Sequence, residues 1–131
     1  MAYALPVEGA QAGRPRAGGY VRREVPTCRL DERVAEVRQR VSDTGWKLCL
    51  VVNDRNVLLG RLRHEHMEEA VPEAKAEDVM ESGPSTIRPD VPLEEVVKKL
   101  RDQERALALV TTPAGVVFGV LFRADAERAL A

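Results

Sequence analysis

Leu48-Cys-Leu-Val-Val-Asn-Asp-Arg-Asn-Val-Leu-Leu-Gly60 is an apolar run, a polar turn and a second apolar run ending in glycine. It returns as Leu107-Ala-Leu-Val-Thr-Thr-Pro-Ala-Gly-Val-Val-Phe-Gly119. A short apolar run bounded by turn residues reads as a buried strand, so each copy predicts a hairpin. Upstream, Thr27-Cys-Arg-Leu-Asp31 returns as Thr86-Ile-Arg-Pro-Asp90 at the same offset of 59 residues, with no gap. From Thr27 to Ala70 about a third of the paired positions are identical. Only two copies fit, which excludes a long solenoid or a propeller and leaves a pseudo-symmetric pair packed face to face. A pseudo-twofold axis makes two related clefts, and clefts are where small ligands bind.

The elements around the hairpins repeat as well. Asp31 is a helix N-cap candidate before Val34, Val37 and Val41, which recur at helical spacing, and Thr44-Gly45 ends that helix. Asp90 is the matching cap, with Glu94 near the reciprocal capping position, Pro92 in the first turn and Leu93, Val96, Val97 and Leu100 facing inward. Short helices over 64–70 and 123–130 follow the hairpins, and Ala76 to Met80 reads as a helical turn. The fold class is therefore α/β (α+β), built of two strand–helix–strand–strand–helix repeats. The boundaries expected are a loose arm over 1–16, a first repeat over 17–72 and a second over 73–131, with Pro72 breaking the linker. The arm carries Pro6, Gly9, Gly13 and Pro15 without apolar periodicity.

Composition narrows the function. The 131 residues make one domain or two half-domains sharing a core, because either half alone buries too little apolar surface. A net charge of −1 with interspersed signs gives no electrostatic case for nucleic acid or membrane, and every apolar run is too short to span a bilayer. The start of the chain lacks the basic and apolar stretches of a signal peptide, so a cytoplasmic protein is expected. Cys28 and Cys49, the only thiols, form no CxxC pair and read as small buried apolar residues.

The order of these elements, with Glu77-Asp-Val-Met80 before the second unit and Ser85-Thr-Ile-Arg-Pro-Asp90 at its first strand, resembles a tandem pair of cystathionine-β-synthase (CBS) domains, the Bateman module. The resemblance runs from about residue 20 to the C-terminus. It implies one CBS-pair module that senses an adenosine-containing ligand (AMP, ADP, ATP, NAD or S-adenosylmethionine) in an inter-repeat cleft, requires no cofactor, pairs as a homodimer and regulates an unidentified protein rather than catalysing a reaction. In the family the last strand of each repeat ends Gly-apolar-apolar-Thr/Ser-x-x-Asp, and the Asp receives the ribose hydroxyls. The second repeat reads Gly119-Val-Leu-Phe122-Arg123-Ala-Asp125, which places Asp125 on ribose and Arg123 near phosphate. Phe122 stands where the hydroxyl residue is expected, and Val120 and Ile87 are expected as apolar walls.

The first repeat reads Gly60-Arg-Leu-Arg63-His64-Glu-His66, so Arg63 and His66 replace the hydroxyl and the carboxylate. Arg61 and Arg63 share a strand face by alternation, and with Lys47 they form a possible anion pocket. His64 and His66 suggest a metal, but the segment passes into a helix that splays them, and no metal site is predicted. Trp46 reads as a core or rim residue. The alternative function is a CBS-like dimerisation protein that has lost nucleotide binding, to which Arg63, His66 and Phe122 point. An enzyme would need a catalytic set, and no acid–base spacing supplies one.

Overall fold

A computed structural model describes residues 13–131; positions 1–12, most of the expected loose arm, lie outside the described residues. The first repeat runs β1 (Thr27–Cys28), α1 (Val34–Ser42), β2 (Leu48–Val52), β3 (Leu58–Arg63) and α2 (His64–Glu69). A short helix α3 (Ala76–Val79) and strand β4 (Glu81–Ser82) lead to β5 (Thr86–Ile87), α4 (Leu93–Asp102), β6 (Leu107–Thr111), β7 (Val117–Phe122) and α5 (Arg123–Leu130). Strand β4 and a 3-10 turn at Ala17–Tyr20 are additions to the sequence reading.

The two sheets obey the repeat to the residue. In the first, β1 pairs parallel to β2 with Thr27 opposite Leu50; in the second, β5 pairs parallel to β6 with Thr86 opposite Leu109. The hairpins pair Val51 with Gly60 and Val110 with Gly119, and each slips register at the next residue, between Val51/Val52 and Val110/Thr111. Alternation along β2 explains why its run is apolar throughout. Cys49 and Val51 pack on α1 and α2 with Val34, Val37 and Met67, whereas Leu48, Leu50 and Val52 pack against Leu109 and Val120 of the other repeat. A strand covered on both faces has no position left for a polar side chain.

The predicted caps differ from the structure. Asp31 and Asp90 lie in turns, and the residues preceding the helices are Arg33 and Pro92, neither of which caps through its side chain. Backbone from a distant segment caps instead. The Val34 N–H donates to the Ala74 carbonyl at 2.8 Å, and its repeat mate Leu93 N–H donates to the Pro15 carbonyl at 2.9 Å. Glu94 pairs with Arg14 at 3.1 Å rather than reaching back along its own helix.

These bonds belong to a larger exchange. Ala17 and Gly18 N–H donate to Val91 and Pro89 of the second repeat, while Ala76 and Glu77 N–H donate to Glu32 and Leu30 of the first. Arg22 bridges to Val120, and β4 joins the first sheet through Arg61 opposite Glu81. Each repeat is thus completed by the segment that precedes the other. Arg16, expected in the loose arm, donates to the Asp90 carbonyl at 2.5 Å, so the arm's last residues are docked.

Close approach at the two strand glycines makes the exchange testable. A Cβ on Gly119 would lie 2.8 Å from Val21 Cβ and 2.9 Å from the Arg22 carbonyl oxygen. One on Gly60 would press on the flexible Met80 side chain and lie 3.0 Å from the Glu81 carbonyl oxygen. In urea denaturation we expect Gly119→Ala to cost about 1–3 kcal/mol and Gly60→Ala less, because Met80 can retreat from Gly60, whereas the Cβ of Val21, fixed to the backbone, cannot retreat from Gly119.

Candidate functional site

Leu48 and Leu107, which the repeat offset relates, line two clefts. One, of about 610 Å³, is lined by Lys47, Arg61, Arg63, Glu65, Glu104 and Arg105 with Leu48, Ala106 and Leu107. Its mate, of about 550 Å³, is lined by Arg22, Glu24, Thr44, Gly45, Trp46, Lys47 and Phe122 with the same two leucines. Both are of the size that takes a small ligand.

The basic cleft draws on both repeats. Arg61 and Arg63 stand two apart on β3, so alternation puts them on one face, and Lys47 precedes the neighbouring strand. Arg105 comes from the loop before β6. Arg61 is 8% exposed, and its Nη2 donates to both carboxylate oxygens of Glu81 at 2.9 and 3.0 Å. Arg63 Nε approaches the same carboxylate at 3.5 Å. The Arg61 hydrogen bond is the main cause that holds the Glu81 carboxyl below its usual range. Arg61 Nε, though buried, has no hydrogen-bond acceptor among the described residues.

Behind Arg61, Arg105 and Leu107 the cleft continues into a narrow slot between β5, β6 and α4. Its walls are Ile87, Val96, Leu100, Ala108 and Leu109, with Ser85, Thr86, Lys99 and Gln103 at the edges. The enclosed space is about 40 Å³, so a planar ring enters only as flexible edge side chains such as Lys99 or Gln103 swing aside. The slot exists because the repeat is broken at one position. Trp46 packs against the cores of the first repeat and of the interface, and Arg105 stands at the equivalent place in the second.

The other cleft is bound up with the chain's own residues. Arg22 Nε and Nη2 donate to Asp125 Oδ2 and Oδ1 at 2.8 and 3.0 Å, and Arg128 donates to Oδ1 at 2.5 Å. The Arg22 hydrogen bond is the leading cause of a lowered Asp125 pKa, opposed by burial and reinforced by the Arg22 and Arg128 charges. The Arg22 guanidinium also lies 4.7 Å above the Phe122 ring, which tilts against Trp46 at 5.4 Å. Asp125 therefore faces an arginine fork rather than the open cleft.

The sequence-predicted residues separate accordingly. Lys47, Arg61 and Arg63 converge on the basic cleft, and Phe122 lines its mate. Ile87 belongs to the slot behind Arg61, far from the Asp125 group it was expected to join. Val120 is fully buried in the interface core and exchanges backbone hydrogen bonds with Arg22, so it walls no cleft. Arg123 donates to the Arg105 carbonyl at 3.3 Å and lies 3.9 Å from Glu127, committed to its own surroundings. Arg105 and Glu81 were missed. The repeat alignment carried a signal for the first, a tryptophan replaced by arginine; nothing in the sequence pairs Glu81 with Arg61.

His66 Nδ1 accepts the Arg63 backbone N–H at 3.4 Å, and no cluster of metal-binding side chains occurs among the described residues. Cys28 and Cys49 are buried free thiols; a hydrogen bond with Cys28 and burial push the Cys49 pKa up, away from a reactive thiolate. Among the described residues no helix is long and apolar enough to cross a membrane.

Fold and family comparison agree. Residues 76–131 match the CBS domain family. The described residues have the fold of a tandem CBS pair, with the mixed α/β layout of solved CBS pairs. It superposes on the cytosolic domain of the Mg2+ channel MgtE in complex with ATP, with a TM-score of 0.80 and 22% identity, covering 93% of this chain and 52% of that one. The chain thus spans about half the length of that relative. It also superposes on CBSX2 in complex with AMP (TM-score 0.77, 16% identity, 88% and 96% covered). A third is the CBS domain pair of protein MJ0100 in complex with 5′-methylthioadenosine and S-adenosyl-L-methionine (TM-score 0.74, 15% identity, 89% and 96% covered). No curated protein sequence matches the chain.

The Arg22–Asp125 pair predicts a pH dependence. Because the folded pKa of Asp125 is depressed, its stabilisation is present above the unfolded pKa and is lost as pH falls through the folded one, below about 4. Asp125→Asn should be less stable than the wild type at pH 7, and the gap should close on acidification. Urea titrations at pH 7 and pH 3 measure both.

Proposed function

We propose that the chain is a regulatory module that binds an adenosine-containing ligand in the basic inter-repeat cleft, base towards the Ile87–Leu109 slot and polar end among Lys47, Arg63 and Arg105. The observation that carries this reading is the convergence of cations from both repeats on a cleft of about 610 Å³ that continues into an apolar slot. A ligand bridging the repeats would couple them, as a sensor requires. The similar solved structures in complex with ATP, AMP and S-adenosylmethionine support the ligand class. Such a module would regulate a partner protein rather than catalyse a reaction.

Thermal shift with AMP, ADP, ATP, NAD and S-adenosylmethionine tests the reading, since a ligand that binds only the folded state raises Tm. Calorimetry on the best ligand should show Arg63→Ala losing about tenfold or more in affinity, the scale of one charge-assisted hydrogen bond. Asp125→Ala should lose little. The reverse ranking would move the ligand to the other cleft, where the Trp46 and Phe122 rings offer a stacking surface.

We infer also that two copies pair. Met67 and Ala126 on the two short helices are 1% and 0% exposed and belong to their own cores, so they are not free to make a subunit contact. Val71 and Leu130, which the repeat offset relates, are two of the large hydrophobics left exposed among the described residues. Symmetry-related apolar residues suit an isologous dimer. Sedimentation at tens of micromolar should give a dimer, and Leu130→Glu should shift it towards monomer.

A further inference from the structure

Arg61 is the unusual residue of this molecule. It sits on a central strand between Gly60 and Leu62, 8% exposed, on the border of the apolar slot and the basic cleft. A cation is rarely kept there unless its donors are used. Glu81 takes Nη2 alone, and the buried Nε–H has no acceptor among the described residues. Glu81 is itself 39% exposed, so it neutralises Arg61 from the outer side. Around the slot and cleft five cations (Lys47, Arg61, Arg63, Lys99 and Arg105) face three carboxylates (Glu65, Glu81 and Glu104).

From this we propose that Arg61 is the specificity-determining residue of the cleft and selects phosphorylated adenosine ligands over adenosine itself and over S-adenosylmethionine. The proposal rests on the adenosine reading above and narrows it to an anionic ligand. The opening of the slot that admits the base has also to uncover the buried Nε–H; a phosphate oxygen at the junction then accepts it and shares the guanidinium with Glu81, so that the group binding phosphate lies beside the walls that hold the base. An uncharged nucleoside leaves that donor unpaired. The sulfonium of S-adenosylmethionine adds positive charge where cations already outnumber acids. A lysine would present a point charge without the second face, so the fork of arginine matters here.

Calorimetric titration of the full chain with AMP, adenosine and S-adenosylmethionine decides this. The wild type should bind AMP at least about tenfold more tightly than the other two, one charge-assisted contact's worth. Arg61→Met, which keeps an unbranched side chain at a buried strand position, should bring AMP to within about threefold of adenosine while leaving adenosine binding in place. Glu81→Gln removes the competing carboxylate and keeps Arg61, so AMP binding should strengthen severalfold, an arm that stands even where Arg61→Met fails to fold. Equal binding of AMP and adenosine by the wild type, a retained AMP preference in Arg61→Met, or weaker AMP binding by Glu81→Gln would each overturn the proposal with the adenosine reading intact. Absence of binding by all three ligands would sink the adenosine reading itself, and this proposal with it.

Discussion

Two sets of backbone hydrogen bonds, related to each other by the 59-residue repeat offset, make this chain a single unit. Pro15, Ala17 and Gly18 close the start of α4 and the turn before it, and Ala74, Ala76 and Glu77 do the same for α1. A helix start leaves its first N–H groups without partners, and here the partner is peptide rather than a capping side chain. Neither repeat carries its own cap. Separating the halves would expose unpaired amides as well as the Leu48–Leu50–Val52 face, which is why two half-domains of this size hold together.

The exchange also decides where the functional residues stand. It lays Arg22 beside the second hairpin and Glu81 beside the first, at equivalent places with opposite charge. Arg22 meets a carboxylate, Asp125, and is neutralised by it; Glu81 meets Arg61 and Arg63 and leaves the cleft in front of them basic. The Trp46/Arg105 difference then fills one slot and empties the other. Two clefts that share an architecture become a satisfied one and an unsatisfied one through a handful of substitutions at related positions.

Burial gives these pairs their weight. Arg14–Glu94 on the surface is held by side chains that are more than half exposed, and such a pair contributes little. Arg61 is nine-tenths covered, and among the described residues Glu81 is the carboxylate that pairs with its charge. Loss of Glu81 would leave a buried charge uncompensated, which is destabilising.

The sequence by itself determined the hairpins, the inward faces of α1 and α4, the twofold relation and the family likeness, because each is written in side-chain polarity at short range. Leu48 to Val52 read as a buried strand, and alternation alone put Arg61 and Arg63 on one face of the strand that follows it. Tertiary structure decided what peptide groups do. Between 15–25 and 74–84 almost no residue is shared, yet both segments make matching bonds, since a carbonyl from Pro15 accepts as well as one from Ala74. It decided too that Asp125 faces Arg22 and that Ile87 lies behind Arg61. Those contacts join residues far apart in the chain, and local pattern carries no trace of a partner brought in by the fold.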